Sequence, residues 1–256
     1  SAPELVDAAY TERYIAASHR ERARAVSNAI VQTAKLAAGR NANNTSDLNT
    51  LNTLKVIIGR DVKNMASMEI GDNLATSAIM LLRREQFSKK VASDWPENFR
   101  DSIPVLVYLP NKNSILISHA LLQAPILDAD AGAQNFGAFG ALFAQQISLA
   151  LSPTTANNTT QRAAIISQYN AYSLSGSKKV NGAMTSTQNL ADLSGLDLAF
   201  QSFMTSGAPD KKAQQDFFKA WANMLARVDR DSALLASHSK AIRAPAKWRV
   251  NGPIAN

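Results

Sequence analysis

Side chains able to hold a metal or move a proton near neutral pH are few and scattered in this sequence. Its three histidines, His19, His119 and His238, lie far apart, and none has a second histidine at ligand spacing. Each therefore reads as a structural or surface residue. There is no cysteine, which removes disulfides, thiolate nucleophiles and Cys-type zinc sites together and says little about compartment. What remains are polar residues in three segments. Phe136 to Leu151 carries Gln145-Gln146 behind glycines at spacing three, Gly137 and Gly140, which let a helix pack closely on its neighbours. Thr187 to Leu196 carries Gln188 and Asp192, and Pro245 to Pro253 carries Arg249, with Arg243 just ahead of it. A carboxamide has no basic carboxylate with which to take a proton from water, and the leucine at 149 donates nothing to a metal. Alone, the segment around Gln145 is a core helix.

These segments need a frame. At 256 residues and 46% hydrophobic, the chain can bury a sizeable core as one large domain or two small ones. Ser18-His19-Arg20-Glu21 has the form of a capping box, and Val26, Ile30 and Leu36 follow near helical spacing. This predicts a helix from about Ser18 to Ala38, preceded by another from about Pro3. The loop Asn41 to Asn44 leads to Thr45 as the cap of a third helix, with Leu48, Leu51, Leu54 and Ile58 on its buried face and Gly59 at its end. Asp72 caps a further helix reaching about Val91. The period then changes: Val105-Leu106-Val107-Tyr108 and Ser114-Ile115-Leu116-Ile117 flank Pro110-Asn111-Lys112-Asn113, which predicts a hairpin and is the one convincing β signal. Helices resume at about 134 to 151, 159 to 173, 185 to 205 and 209 to 228, punctuated by Pro153, Gly182, Gly207-Ala208-Pro209 and Pro245. The expected fold is α+β and mainly α-helical, with a small antiparallel hairpin or sheet packed on helices. We expect a single domain over 1–256: a helical part to 100, hairpin and loop over 101–131, and a second helical part over 132–256.

The net charge of +7 and pI near 9.7 favour acidic partners or anionic surfaces in general. Specific nucleic-acid recognition fits poorly, because the basic residues come as scattered pairs (Arg83-Arg84, Lys89-Lys90, Lys178-Lys179, Lys211-Lys212) without interleaved aromatics. No run approaches the roughly 18 apolar residues of a membrane span, so no transmembrane segment is expected. Asn43-Asn44-Thr45 and Asn157-Asn158-Thr159 match the glycosylation pattern but read as polar loops.

Taken in order, the motifs resemble the catalytic domain of the neprilysin (gluzincin) family of zinc metallopeptidases. The segments that carry the resemblance are Phe136 to Leu149, Thr187-Gln188-Asn189-Leu190-Ala191-Asp192-Leu193-Ser194-Gly195-Leu196, the Phe217-Phe218 pair, and Pro245-Ala246-Lys247-Trp248-Arg249-Val250-Asn251-Gly252-Pro253. The family has a glycine-containing lead into His-Glu-x-x-His, then Glu-Asn-x-Ala-Asp-x-x-Gly, Phe-Phe, and Arg-Val-Asn-Gly. Upstream, Tyr108, Pro110 and Asn113 sit in a hairpin like the family's substrate-binding edge strand, and Leu122-Gln123-Ala124-Pro125 is similar to the Leu-Gln-x-Pro that follows it. The similarity runs from about residue 8 to the end. The family's large helical lobe and its aromatic C-terminal extension have no counterpart here, which predicts uncovered apolar surface.

The resemblance implies what each position would do in an active member. The two zinc-binding histidines align with Gln145 and Leu149, the general base with Gln146, and the third zinc ligand with Gln188. The transition-state histidine aligns with Arg243 and the substrate-orienting asparagine with Val105, while Asp192 and Arg249 are retained. Zinc, any other cofactor and peptidase activity are therefore expected to be absent. The glutamines keep the shape of the site while making it neutral and could satisfy one another by hydrogen bonds; drift in a core freed from catalytic demand explains the same pattern. The expected function is that of an inactive pseudopeptidase acting as a protein- or peptide-binding subunit, in a homo- or hetero-oligomer or beside an active peptidase. Peptide would be met by Val105, Tyr108 and Arg249. The alternative is an active metallopeptidase or other hydrolase with an unrecognised site, using Arg243, Arg249 and Asp192. The resemblance also favours a bacterial-type, extracytoplasmic (periplasmic or secreted) location.

Overall fold

A computed structural model describes residues 3–40, 44–59, 99–128, 132–151, 157–227, 238 and 240–255. The helix expected from Asp72 lies outside these residues, as do Pro153, Arg83-Arg84 and Lys89-Lys90. The chain opens with α1 (Pro3–Tyr14) and α2 (Ala17–Gly39). The capping box is not used: Ala16 is the N-cap, no side chain caps it, and Ser18 already lies inside the first turn. Ala23, Val26, Ile30, Ala34 and Ala38 form the buried face, and Leu36 is 66% exposed. Each residue turns a helix by about 100°, so a residue two places past Ala34 points away from the core.

Helix α3 (Thr45–Thr53) starts from Asn44 as N-cap, one residue ahead of the expected Thr45, and buries Leu51. It stops earlier than expected. Leu54 adopts an extended conformation and Lys55–Ile58 forms β1. The spacing of Leu48, Leu51, Leu54 and Ile58 mimicked one helical face, but Val56, Ile57 and Ile58 are β-branched and favour a strand when a partner is present. Their partner is β3 (Ser114–Ile117), paired in parallel with Val56 opposite Ile115 and Ile58 opposite Ile117. Gly59, at φ +59°, ends a strand and not a helix.

The predicted hairpin is present, with β2 (Leu106–Leu109) antiparallel to β3 around a 3-10 turn at Pro110–Lys112 and a left-handed Asn113. The sheet is mixed, in the order β1-β3-β2. Its central strand is wholly buried, and β2 is an edge.

The second half supplies the frame for the polar residues. Helix α4 (Gly132–Asn135) runs through a π-helical stretch, Phe136–Gly140, into α5 (Ala141–Ala150). A Cβ at Gly137 would fall 2.0 Å from the carbonyl oxygen of Phe217, so the glycine is what lets this segment lie against its neighbour. Then follow α6 (Asn157–Ala171), a short hairpin of β4 (Ser173–Ser175) and β5 (Lys178–Lys179) that sequence reasoning missed, α7 (Gly182–Thr205) and α8 (Lys211–Leu225). Gly182 opens α7 and does not break it; the side chain of Asn181 caps the helix by accepting from Met184 N. The last element is α9 (Ala246–Ile254), whose N-cap is Pro245. The Pro245 punctuation thus begins a helix, a position where a missing N–H costs nothing.

Phe136, Phe139, Phe143, Phe203, Phe217 and Trp221 lie in the main core with Ile30, Leu51, Ile115 and Ile117. A smaller cluster of Ile165, Tyr169, Val180, Leu190 and Ala244 seats the approach to α9. There Tyr172 stacks on Trp248 at 4.1 Å between ring centroids, and Trp248 Nε1 donates to the Ser173 carbonyl at 2.7 Å.

Candidate functional site

The polar segments read from the sequence converge where α5 lies against α7. The approach is set by Gly195: a Cβ there would sit 2.5 Å from the backbone nitrogen of Gln145 and 2.7 Å from its Cα. Consecutive residues on a helix point about 100° apart, so Gln145 and Gln146 serve different neighbours. Gln146 Oε1 accepts from the backbone N–H of Tyr108 on β2 at 3.0 Å. Gln146 Nε2 donates to Gln145 Oε1 at 3.3 Å, and Gln145 Nε2 donates to Asp192 Oδ1 at 2.6 Å. Arg249 completes the chain from α9, donating from Nε to Asp192 Oδ2 at 2.7 Å and from Nη2 to Oδ1 at 2.8 Å. One continuous series of hydrogen bonds, with donors running toward Asp192 from both ends, thus joins the sheet edge, α5, α7 and α9.

The series is buried: Asp192 is 0%, Gln145 1%, Gln146 4% and Arg249 8% exposed. Burial disfavours the charge on Arg249, but the hydrogen bonds and charge of Asp192 outweigh it and hold the guanidinium above its usual pKa. The two-pronged contact is the strongest pairing available to a carboxylate among side chains.

The other members of the constellation are placed differently. Gln188 lies one turn before Asp192 on α7, and its buried Oε1 has no hydrogen-bond partner among the described residues. The expected mutual satisfaction of the glutamines therefore holds between Gln145 and Gln146 only. Leu149 is half-buried on α5. Arg243 is exposed in the turn before α9; crowding by protein lowers its pKa, with Arg249 acting in the same direction and Asp192 against it. Val105 is tied by its backbone to Ser118, donating to Oγ at 2.8 Å and accepting from N at 2.9 Å. The Tyr108 hydroxyl donates to Asn113 Oδ1 at 3.1 Å. Tyr108 N–H and the Arg249 guanidinium, both assigned to a peptide from the sequence, are engaged by the protein itself.

This donor set does not fit zinc. Of the residues at the centre, Gln145 and Gln146 offer amides already in hydrogen bonds, Leu149 offers nothing, and both oxygens of Asp192 are taken by Arg249 and Gln145. Among the described residues no group of three or more His, Cys, Asp and Glu could hold a metal ion. Zinc sites take nitrogen, thiolate and carboxylate ligands in a tetrahedral set, which these residues do not form.

The histidines are dispersed. His238 Nε2 accepts from Asn181 N at 3.1 Å beside the start of α7, and its pKa is lowered by burial. The buried Nδ1 of His19 has no partner among the described residues. His119 belongs to a polar cluster for which the sequence offered no signal, since its members lie far apart along the chain. Asp7 on α1 accepts from Asp101 N at 3.0 Å and from Ser102 Oγ at 2.6 Å, and Thr11 Oγ1 lies 3.1 Å from His119 Nδ1. Asp101 Oδ1 accepts from His119 N at 3.2 Å and approaches Nδ1 to 3.4 Å. Despite that carboxylate the ring is held neutral: burial pushes its pKa down to about 4, Arg20 adds to the effect, and Asp7 opposes it. An open groove of about 1010 Å3 lies along another face of α7, between Leu193, Phe200, Phe218 and Pro253, and none of the glutamines, Asp192 or Arg249 at the centre of the site lines it.

Comparison with known proteins agrees with the arrangement of these elements. The profile of Peptidase family M13 matches residues 106–256. An endothelin-converting enzyme homolog of Locusta migratoria is 27% identical over 178 residues, 58% of this chain and 24% of its own length. Neprilysin-11 of Caenorhabditis elegans is 24% identical over 213 residues, 70% of this chain and 25% of its own. Among solved structures, the open state of the Mycobacterium tuberculosis zinc metalloprotease ZMP1 superposes with a TM-score of 0.80 at 21% identity, over 98% of this chain and 46% of that one. PepO of Lactobacillus rhamnosis HN001 gives 0.77 at 23% identity, over 98% and 45%. The chain spans about a quarter of the length of these curated relatives and under half of the solved ones. The neprilysin-like, mainly helical fold expected from the motifs is the fold found, and with a family profile matching more than half its length, the chain belongs to peptidase family M13.

Proposed function

We propose that this chain is a non-catalytic member of its family, a pseudopeptidase that binds a peptide or protein, either as a subunit beside an active peptidase or in an oligomer. The observation that carries the reading is the state of Asp192: both its oxygens are filled by Arg249 and Gln145, and the position of the family's general base is held by Gln146, whose amide links α5 to the sheet edge. Hydrolysis needs a group that takes a proton from water and an ion or donor that stabilises the developing charge. A chain of amides closed by an ion pair offers no such base.

The reading places the chain outside the cytoplasm, as one binding domain over 1–256. No helix among the described residues is long and apolar enough to cross a membrane. The test is elemental analysis of the purified protein together with cleavage of a broad peptide library. We expect zinc well below one atom per chain and no chelator-sensitive cleavage; stoichiometric zinc with cleavage abolished by a chelator overturns the reading in favour of an active peptidase.

A further inference from the structure

The groove of about 1010 Å3 on the other face of α7 takes no part in the bonded series at the site. Its walls follow from helical spacing. Gln161, Ala164, Ile165 and Gln168 recur every three or four residues on α6, and Leu193, Asp197 and Phe200 do the same on α7. Ile165, Leu196 and Pro253 are buried, while Phe200 and Phe218 are half-buried with ring centroids 5.0 Å apart, so the groove offers an apolar floor and two aromatic rings. Asp197 is exposed and is the one charged residue among those that line it. Its Oδ2 accepts from Gln201 Nε2 at 2.7 Å, and its Oδ1 has no partner among the described residues. A smaller hollow of about 220 Å3 adjoins the groove: the two share Gln161 and Ser194, and the smaller one is otherwise chiefly apolar, with Leu149, Leu151, Leu190 and Ala191.

We propose that this groove binds a peptide segment carrying a lysine or arginine three or four residues from a large apolar side chain. The proposal rests on the non-catalytic binding reading and gives it a place and a ligand class. The charge of the ligand follows from Asp197. On a chain of net charge +7 unspecific attraction favours anions, so a carboxylate in the groove selects against that background, for a cation. Phe200 stands three residues on along the same helical face, and a guanidinium or ammonium held between the two meets the carboxylate and the face of an aromatic ring together. The polymeric nature of the ligand follows from the shape. Two adjoining hollows, one apolar and one with a carboxylate, suit side chains set at intervals along a chain better than a compact molecule. Leu190 in the smaller hollow and Asp197 in the larger are seven residues apart on α7, about 10 Å along the helix, which an extended peptide covers in about three residues.

The probe is a randomised heptapeptide library, N-acetylated and C-amidated so that only side chains carry charge, offered at physiological ionic strength to immobilised wild-type, Asp197→Asn, Asp197→Lys and Ser194→Trp protein. Ser194 is exposed and lines both hollows, so a tryptophan there fills the track from the solvent side. From wild type we expect enrichment of peptides with Lys or Arg three or four positions from Leu, Ile, Met or Phe. Retention should fall about threefold to fivefold in Asp197→Asn, as for the loss of a solvent-facing ion pair. The preference should turn to Asp and Glu in Asp197→Lys, and retention should vanish in Ser194→Trp. Both positions face solvent, so the variants should melt within about 2 °C of wild type; a larger loss shows that the residue is bound into the fold and not free for a ligand, and overturns the assignment. Enrichment of acidic or purely apolar peptides by wild type, the same basic peptides held equally by Asp197→Lys, or undiminished retention by Ser194→Trp overturns the proposal and leaves peptide binding elsewhere on the chain standing. A wild-type oligomer that dissociates in Ser194→Trp shows that a second copy fills the groove, and also overturns it. If wild type retains no peptide, the groove assignment and peptide recognition fall together, whereas zinc content and cleavage assays judge the non-catalytic reading on their own.

Discussion

Replacement of Asp192 by Asn tests whether the buried series holds the protein together or is a passive remnant. The substitution removes the charge that compensates Arg249 and replaces one acceptor oxygen by an NH2 group. That group would face N–H donors of Arg249 or Gln145, which now sit 2.6 to 2.8 Å from the carboxylate. Breaking a buried ion pair from one side costs about 3–5 kcal/mol, because the other charge stays buried without a partner. For a chain of this size each kcal/mol lowers the melting temperature by roughly 2–4 °C, so we expect a fall of roughly 6–20 °C. The assay is urea unfolding followed by circular dichroism, with thermal melting as a second readout. Arg249→Gln alone should cost a similar amount by stranding the carboxylate. The double variant, with neutral amides on both sides, should cost at least about 2 kcal/mol less than the two singles added together, since contacting residues of one network couple by up to about 3 kcal/mol. A single-variant cost below about 1 kcal/mol, or simple additivity, would refute the view that α7 and α9 are pinned through this pair.

Two further outcomes follow from the structure. His119 titrates near 4 in the folded chain against 6.5 when free; the native state binds fewer protons than the unfolded one between these values, so stability is complete above about pH 6.5 and is lost as pH falls toward 4. At about 1.4 kcal/mol per unit, the loss is of order 3 kcal/mol, and the difference in stability between pH 6.5 and 4 should shrink by about that amount in His119→Gln; an unchanged pH profile would refute the assignment. Gln146→Ala removes the internal acceptor on Tyr108 N–H, so it should destabilise the fold by about 1–3 kcal/mol while raising the affinity of any peptide that pairs with β2, read by titration calorimetry; a drop in affinity would show that Gln146 contacts the peptide itself.

How much was legible depended on the range of the interaction responsible. Local signals were sound where local physics decides. The helical period located α2 and the long helices of the second half, the turn residues at Pro110 to Asn113 located the hairpin, and the paired glycines announced close packing, realised where Gly137 meets the Phe217 backbone. Local signals failed where a distant partner decides. Val56 to Ile58 became a strand because β3, more than fifty residues on, offered a parallel edge. The identities of the residues at the centre of the site were fixed by the sequence alone, because side-chain chemistry does not depend on packing. Only the tertiary structure decided how those residues spend their hydrogen bonds. It commits Arg249 and Gln145 to Asp192, ties Gln146 to the sheet edge, and leaves Gln188 Oε1 and Arg243 without partners among the described residues. Which donor meets which acceptor is set by the close approach of helices that the chain order keeps far apart.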